Sequence, residues 1–387
     1  MLKDIFLLDP QIVFLNHGSF GACPRPVFEQ YQAWQRQIER QPVQFLWVEL
    51  DAYLKQARQK LGEYVHAPAE DLVFVPNATH GVNIVARSLK LDPGDEILST
   101  NQEYGACNYA WEFMSEKSGA IYKQHSIQFP VNSEDEILEQ FWEGVTPQTK
   151  VIYFSHIASP TSLTFPAGLI CQRARQEGIL TLVDGAHAPG QVTVDITSLQ
   201  ADFYVGNCHK WMLSPKGAGF IYARPESQPL IEPLVVSWGY QSRFSPPRES
   251  RFIDTLQWTG TKDYAAALSV PAAIDFMDLY HWEEVRRAGH RLLGDAIGSL
   301  GELTGMGPLY PLDSNLYQQM GTISLPRIRD INELKTRLYT DYKIEIPCVE
   351  WENRHFLRIS VQGYNTADDI QALVKALSEL LPVLKES

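Results

Sequence analysis

The chain has 387 residues, of which 44% are hydrophobic and 20% charged, with a formal net charge of −13. Its length exceeds the roughly 250–300 residues at which one core stops growing, so a large domain and a smaller one are expected. The acidic balance and scattered Lys and Arg exclude a broad nucleic-acid surface, and no apolar run approaches the roughly 20 residues of a membrane span.

Met1-Leu2-Lys3-Asp4 leads directly into Ile5-Phe6-Leu7-Leu8. An export signal would need a basic region, a long apolar stretch and a small-residue cleavage site in series, so a cytoplasmic protein is expected. From about residue 70 to 225, β-rich runs alternate with helical patterns, the grammar of βαβ units and of an α/β fold. The strands are expected at Leu72–Val75, Glu96–Ser99, Ala120–Lys123, Lys150–Phe154, Leu180–Val183, Phe203–Val205 and Gly219–Ala223. Helices are expected at Thr79–Leu89, at Ser133–Val145 with a capping-box start, and at Gly168–Gln176. Pro225 to Arg251 is rich in Pro, Ser and Arg and reads as irregular. Beyond it, helices at Ala265–Leu279, Trp282–Leu300 and Ala367–Leu381 and strands at Gly321–Leu325, Ile344–Ile346 and Phe356–Ser360 predict a smaller α+β domain. The expected division is a large domain over 21–264 and a small one over 265–387, with residues 1–20 associated with the latter. The five cysteines are odd in number and lack CxxC spacing, which predicts neither a disulfide framework nor a metal site.

Asp184 ends a buried-looking strand, where open α/β sheets place ligand-binding groups, although such an Asp also serves as a helix cap. Lys210 follows 26 positions on, just after the next strand and before Trp211-Met212-Leu213, an odd place for a solvated lysine. Burial there would favour the neutral amine that imine formation requires. Lys216 is the rival, in the turn-like Ser214-Pro215-Lys216-Gly217. Asn77-Ala78-Thr79-His80-Gly81 follows a strand and opens a helix, a place for a phosphate, with Thr79 as a plain N-cap the other reading. Tyr104 follows the strand Glu96–Ser99 and can lie over a ring at the sheet's carboxyl edge. A lysine, a carboxylate for a ring nitrogen, a phosphate cradle and a flat partner are the needs of pyridoxal 5′-phosphate (PLP).

The chain resembles the class V aminotransferase family of fold-type I PLP enzymes, and within it the isopenicillin N epimerase-like group. The resemblance rests on six ordered motifs: Leu15–Gly21, Asn77–Gly81, Val183–Gly190, Gly206–Trp211, Trp258–Asp263 and Leu357–Asn365. It implies an α/β large domain with a mostly parallel, mixed sheet. It further implies Lys210 as Schiff base and proton carrier, Asp184 against the pyridine nitrogen, and His187 beside the phenolic oxygen. Ala78, Thr79 and His209 would hold the phosphate, and Tyr104 would stack on the ring. Gly260 and Thr261 would reach the neighbouring subunit's phosphate, making a homodimer with shared sites. Arg358 would grip the α-carboxylate of an amino-acid-type substrate, with Asn16, His17 and Gly18 lining the approach.

Two departures bear on the reaction. Desulfurases of this family carry a persulfide-forming Cys on a mobile loop, whereas Cys348 lies in an extended run, and Ser159 stands about where they place an Asn. The expected activity is therefore at Cα of an amino acid, epimerase-like, with C–S β-elimination or transamination as the alternatives. No motif supplies the second acid that an epimerase needs.

Overall fold

In the computed structural model, which describes residues 2–240 and 249–386, a two-residue strand β1 (Val13–Phe14) precedes the main sheet. That sheet comprises β2 (Leu72–Val75), β3 (Glu96–Thr100), β4 (Ile121–His125), β5 (Thr149–Ser155), β6 (Leu180–Gly185), β7 (Phe203–Asn207) and β8 (Gly219–Ala223). Their spatial order is β2-β8-β7-β6-β5-β3-β4. Neighbours are parallel except that β8 runs antiparallel to both β2 and β7, so the sheet is mixed and mostly parallel as expected. After β4 the chain crosses back over β3 to reach β5, which makes a topological switch where connections diverge and a crevice opens.

Both faces of this sheet are covered, which is why its strands read as apolar runs. Side chains alternate between the two faces with period two. Leu72 and Phe74 belong to one core cluster and Val73 and Val75 to the other. Phe220 and Tyr222 alternate in the same way with Ile221 and Ala223. On β6, Leu182 and Val183 face opposite sides. Asp184, next in the alternation, therefore falls on the face of Leu182, over which the helices Ala78–Ser88 and Gly105–Ser118 contribute side chains.

The C-terminal part adds β9 (Met320–Leu325), β10 (Ile344–Glu345), β11 (Cys348–Trp351) and β12 (Arg354–Ser360). An antiparallel sheet runs in the order β11-β12-β9, while β10 pairs in parallel with β1, so the two ends of the chain meet. The expected helix over 265–279 is two, Ala265–Leu268 and Val270–Leu279. The break lies at Ser269 because Pro271, in the first turn of the second helix, has no N–H to continue the first. Both pieces pack against the helices Arg25–Arg40 and Leu50–Val65. In the expected irregular stretch, residues 241–248 lie outside the described residues, and an unanticipated helix, Arg251–Gln257, begins at its end with Ser250 as cap. No helix of the described residues is long and apolar enough to cross a membrane.

Two glycines fix the backbone around Lys210. A Cβ on Gly21 (φ +70°) would meet the His209 carbonyl oxygen at 2.2 Å and Lys210 Cα at 2.9 Å. One on Gly190 (φ +97°) would meet the Trp211 carbonyl carbon at 2.3 Å. Gly190→Ala should therefore cost about 1–3 kcal/mol or more of stability, read as a lower urea midpoint with an unchanged m-value. An unaltered midpoint would contradict this packing.

Candidate active site

The carboxyl ends of β5, β6 and β7, with the loop after β3, surround a cavity of about 320 Å³. Its wall includes Ala78, Thr79, Tyr104, Asp184, His187, His209 and Lys210, seven residues singled out from sequence. Ligand sites of α/β sheets occupy this edge because loops there can vary without disturbing the core.

Asp184 is buried, receives the Ala186 N–H at Oδ1 (2.9 Å), and receives the Tyr153 hydroxyl (3.3 Å) and the Cys107 thiol (3.8 Å) at Oδ2. Burial raises its pKa, against the pull of the Ala186 N–H and of Lys210. It forms no ion pair among the described residues, so the carboxylate needs a cation that the chain does not supply.

Lys210 is the central group. Burial, aided by the nearby Arg358 charge and opposed by Asp184, lowers its pKa to about 8. The hydrogen bonds point the same way. Trp211 Nε1–H donates to His187 Nδ1 at 3.3 Å, and an indole nitrogen can only donate. The His187 proton must then sit on Nε2, which lies 3.3 Å from Lys210 Nζ. An ammonium there would oppose one donor to another, whereas a free amine accepts the bond. His187 itself is held neutral, its pKa well below the ordinary value through burial and then the Lys210 and Arg358 charges.

His17 lies elsewhere than expected. It is fully buried behind Lys210 rather than in the cavity wall, where it was anticipated to line the substrate's approach. Its Nε2 is 3.1 Å from the Lys210 carbonyl and its Nδ1 is 2.9 Å from the Tyr364 hydroxyl. The carbonyl can only accept, so Nε2 carries the proton and Nδ1 accepts from Tyr364. This bond outweighs the longer 3.3 Å approach of Gln362 Nε2 to the same nitrogen. Asn16 likewise braces the site, donating to Glu345 Oε1 and accepting from Ser19 Oγ. Gly18 donates its N–H to Ser360 Oγ at 3.1 Å, and a Cβ on it would meet Met320 Sδ at 2.7 Å.

Arg358 lies on β12 beside the cavity, 7% exposed. It donates to Ser159 O (2.9 Å), Ser159 Oγ (3.0 Å) and Ser19 Oγ (3.1 Å), while its Nε has no partner. Burial lowers its pKa to about 10. Without a carboxylate among the described residues, this buried guanidinium is open to an anion from outside, and Ser19 and Ser159 fix its direction.

At the start of the helix Ala78–Ser88, Asn77 caps the His80 N–H at 2.9 Å and Asn207 Oδ1 takes the Ala78 N–H at 2.8 Å. The Ala78 amide is thus occupied, and Thr79 is a cavity residue of this turn that can offer a donor. His209 Nδ1 donates to the Ala218 carbonyl at 2.9 Å, and burial lowers its pKa to about 4. Its Nε2 is therefore bare, and it donates to a phosphate only once that dianion has raised its pKa. Gly260 and Thr261 do not line this chain's cavity. Lys216 does, exposed, with Nζ donating to the Gly21 carbonyl at 3.0 Å.

Several contributors escaped the sequence reading. Glu103 is buried beneath Tyr104, accepting the Thr100 and Ser155 hydroxyls, each at 2.6 Å; burial raises its pKa to about 8. Tyr153, Cys107 and Asn207 sit within strands and helices, and Trp211 in the turn after β7, and all look like core. Their one signal is a polar atom in an apolar run, which needs a buried partner.

The profile of the Aminotransferase class-V family matches residues 24–373. The chain belongs to the class V aminotransferase family. It is 35% identical to an isopenicillin N epimerase of Amycolatopsis lactamdurans, over 96% of each chain. It is 27% identical to a probable chloroplastic L-cysteine desulfhydrase of Arabidopsis thaliana, over 96% of this chain and 84% of the other. The class V fold is shared with a cysteine desulfurase of Thermococcus onnurineus NA1 at a TM-score of 0.82 and 19% identity, covering 99% of this chain and 98% of that one. It is also shared with the cystine C–S lyase C-DES, at 0.81 and 19%, over 97% and 99%.

Trp211→Phe removes the indole N–H and frees His187 to accept from Lys210, so the Lys210 pKa should rise above about 8. Arg358→Leu should raise it too, and Asp184→Asn should lower it. The pH dependence of Lys210 acylation in the apoprotein, followed by mass spectrometry, measures all three. An unmoved midpoint in Trp211→Phe would reject the tautomer argument.

Proposed function

We propose that this protein is a PLP enzyme that moves the Cα proton of an amino-acid substrate, with epimerisation as its outcome. One observation carries the reading: a buried lysine whose pKa is lowered toward the free amine stands at the same sheet edge as a buried carboxylate that lacks a cation. The donor set fits PLP, since the ring nitrogen provides that cation, the Thr79 turn suits a phosphate, and Tyr104 at the cavity suits the ring.

When bound, the cofactor supplies an aldehyde for the lysine and a protonated ring that delocalises the electron pair left at Cα. Asp184 keeps the proton on the ring nitrogen. Thr79 and His209 hold the phosphate, joined by Gly260 and Thr261 of the partner subunit in a cytoplasmic homodimer. Arg358 takes the substrate carboxylate in place of its serine contacts and orients the Cα–H. Lys210 Nζ removes that proton from one face, with His187 Nε2–H directing the lone pair that does so, and inversion then requires a second acid to deliver a proton to the opposite face.

A second reading, β-elimination from cysteine or its conjugates, is favoured by the desulfhydrase relatives at 27–28% identity. Sulfur transfer through a persulfide is not supported. Cys348 lies in β11, opposite Leu357 of β12, and burial pushes its thiol up to about 12, so it is neither mobile nor a thiolate.

Purified protein should show a visible absorbance band that borohydride abolishes, and Lys210→Ala should lack it; a reducible band in that variant would reject Lys210. Amino acids screened in deuterium oxide should exchange the Cα hydrogen with inversion. Pyruvate with sulfide from cysteine, or with the corresponding thiol from a cysteine conjugate, and without inversion, would replace epimerisation by elimination.

A further inference from the structure

One buried carboxyl beside the site has no part in the chemistry above. Glu103, in the loop after β3, is 6% exposed. In the sheet order β6-β5-β3, Asp184 stands at the end of the first strand, Ser155 at the end of the second, and Glu103 just past the third. Ser155 and Asp184 are register partners on parallel strands, so their side chains emerge on one face. Ser155 Oγ donates to Glu103 Oε2 at 2.6 Å and lines the cavity that Asp184 also lines. A single hydroxyl thus connects the buried carboxyl to the site.

A second carboxylate here would be one charge too many, since one cationic ring nitrogen cannot neutralise both. The groups facing Glu103 are Asp184 on β6, Tyr122 on β4, Tyr153 on β5 and Cys107 on the helix Gly105–Ser118, all of them acids. Burial, opposed by the Ser155 and Thr100 hydroxyls and reinforced by Asp184, raises its pKa to about 8, so it carries a proton at neutral pH. That proton needs an acceptor. Thr100 has no exposed surface and its oxygen already receives the Gln102 N–H at 3.2 Å, so its own hydrogen stays on Glu103 Oε1. Ser155 faces the cavity and can turn. Its oxygen takes the Glu103 proton, and its hydrogen swings toward the cavity and Asp184.

We propose, on the PLP reading given above, that Glu103 is a positioning residue for the cofactor: a proton store behind Asp184 whose state, relayed by Ser155, sets how firmly Asp184 holds the ring-nitrogen proton. With Glu103 protonated, one carboxylate faces one ring cation, and no surplus negative charge opposes the electron pair that flows from Cα into the ring. With Glu103 bare, its charge and the withdrawn Ser155 hydroxyl act in the same direction, and both strengthen the hold of Asp184 on the ring proton.

The test uses holoenzyme carrying PLP with an isotopically labelled ring nitrogen, reduced with borohydride so that the imine no longer titrates. Nuclear magnetic resonance follows the ring nitrogen and infrared difference spectra follow the Glu103 carboxylic acid. The infrared band of the acid should be lost with a midpoint of about pH 8, and the ring-nitrogen resonance should move with the same midpoint. Glu103→Gln keeps the shape and donates an amide N–H to Ser155, so it should lack the band and hold the resonance at its low-pH position throughout. In Ser155→Ala the band should remain and the resonance step should shrink. Two different midpoints in the unaltered protein, or no carboxylic acid band, overturn the inference without recourse to any variant. A resonance step that persists in Glu103→Gln, or is undiminished in Ser155→Ala, overturns it as well. Failure to take up PLP would overturn the functional reading and this inference together, whereas the other outcomes, in PLP-loaded protein, overturn the inference alone.

Discussion

Three ionisable groups around one cavity are taken out of water without being given to one another. Asp184 has no cation, Arg358 has no anion, and Lys210 is held near its neutral form. Left free, a carboxylate and two cations in so small a space would collapse into ion pairs, because the attraction of opposite charges strengthens as water is excluded. The frame prevents it. Asp184 is fixed at the end of a strand by an N–H, a phenol and a thiol; Arg358 is fixed on another sheet by Ser159 and Ser19. Lys210 is held through its backbone by His17 and at its tip by His187. The unmet electrostatic demand is thereby directed at a ligand, and one with a cationic ring nitrogen and an adjacent carboxylate answers both ends of it. Preorganisation of this kind spares reorientation when charge develops at Cα.

The two histidines divide the work by tautomer. The His187 proton is placed by Trp211, whose indole can only donate, and the His17 proton by the Lys210 carbonyl, which can only accept and leaves Tyr364 to donate to the other nitrogen. An indole deep in the core thus sets which atom of His187 faces Lys210, without touching the cavity. This is how residues that look like packing acquire an electrostatic function at one remove.

Much of the frame was legible because strands buried on both faces announce themselves as apolar runs, and because strand-end polar residues such as Asp184 are conspicuous at the close of such a run. Lys210 was legible for the same reason. What the chain order concealed were relations between distant segments. His17 and Arg358 are 341 positions apart in the sequence, and no local pattern reveals that one would stand behind the lysine and the other beside the cavity. Ser155 and Tyr153 were hidden differently, since each alternates correctly along β5 and only its partner shows that the polar atom is used; Glu103, in the loop after β3, looks like an ordinary loop carboxylate until its burial and partners are seen. The Ala78 amide looks like a phosphate donor in sequence because the residue that occupies it, Asn207, lies 129 positions away at the end of β7. Gly260 and Thr261 belong to a question that one chain does not contain.

The pairing of β1 with β10, and of His17 with Tyr364, also has a consequence for how the protein is made. The two partners of that bond lie 347 residues apart. At roughly 5–20 residues per second, a ribosome takes on the order of 20–70 s to bring the second one out after the first. For that interval β1 has no partner strand and His17 no Tyr364, although His17 and Gly21 can already dock on the segment around Lys210. A nascent chain stalled short of β12 would hold a nearly complete sheet with its lysine in place but no Arg358, so competence is conferred at the end of synthesis rather than accumulated along it.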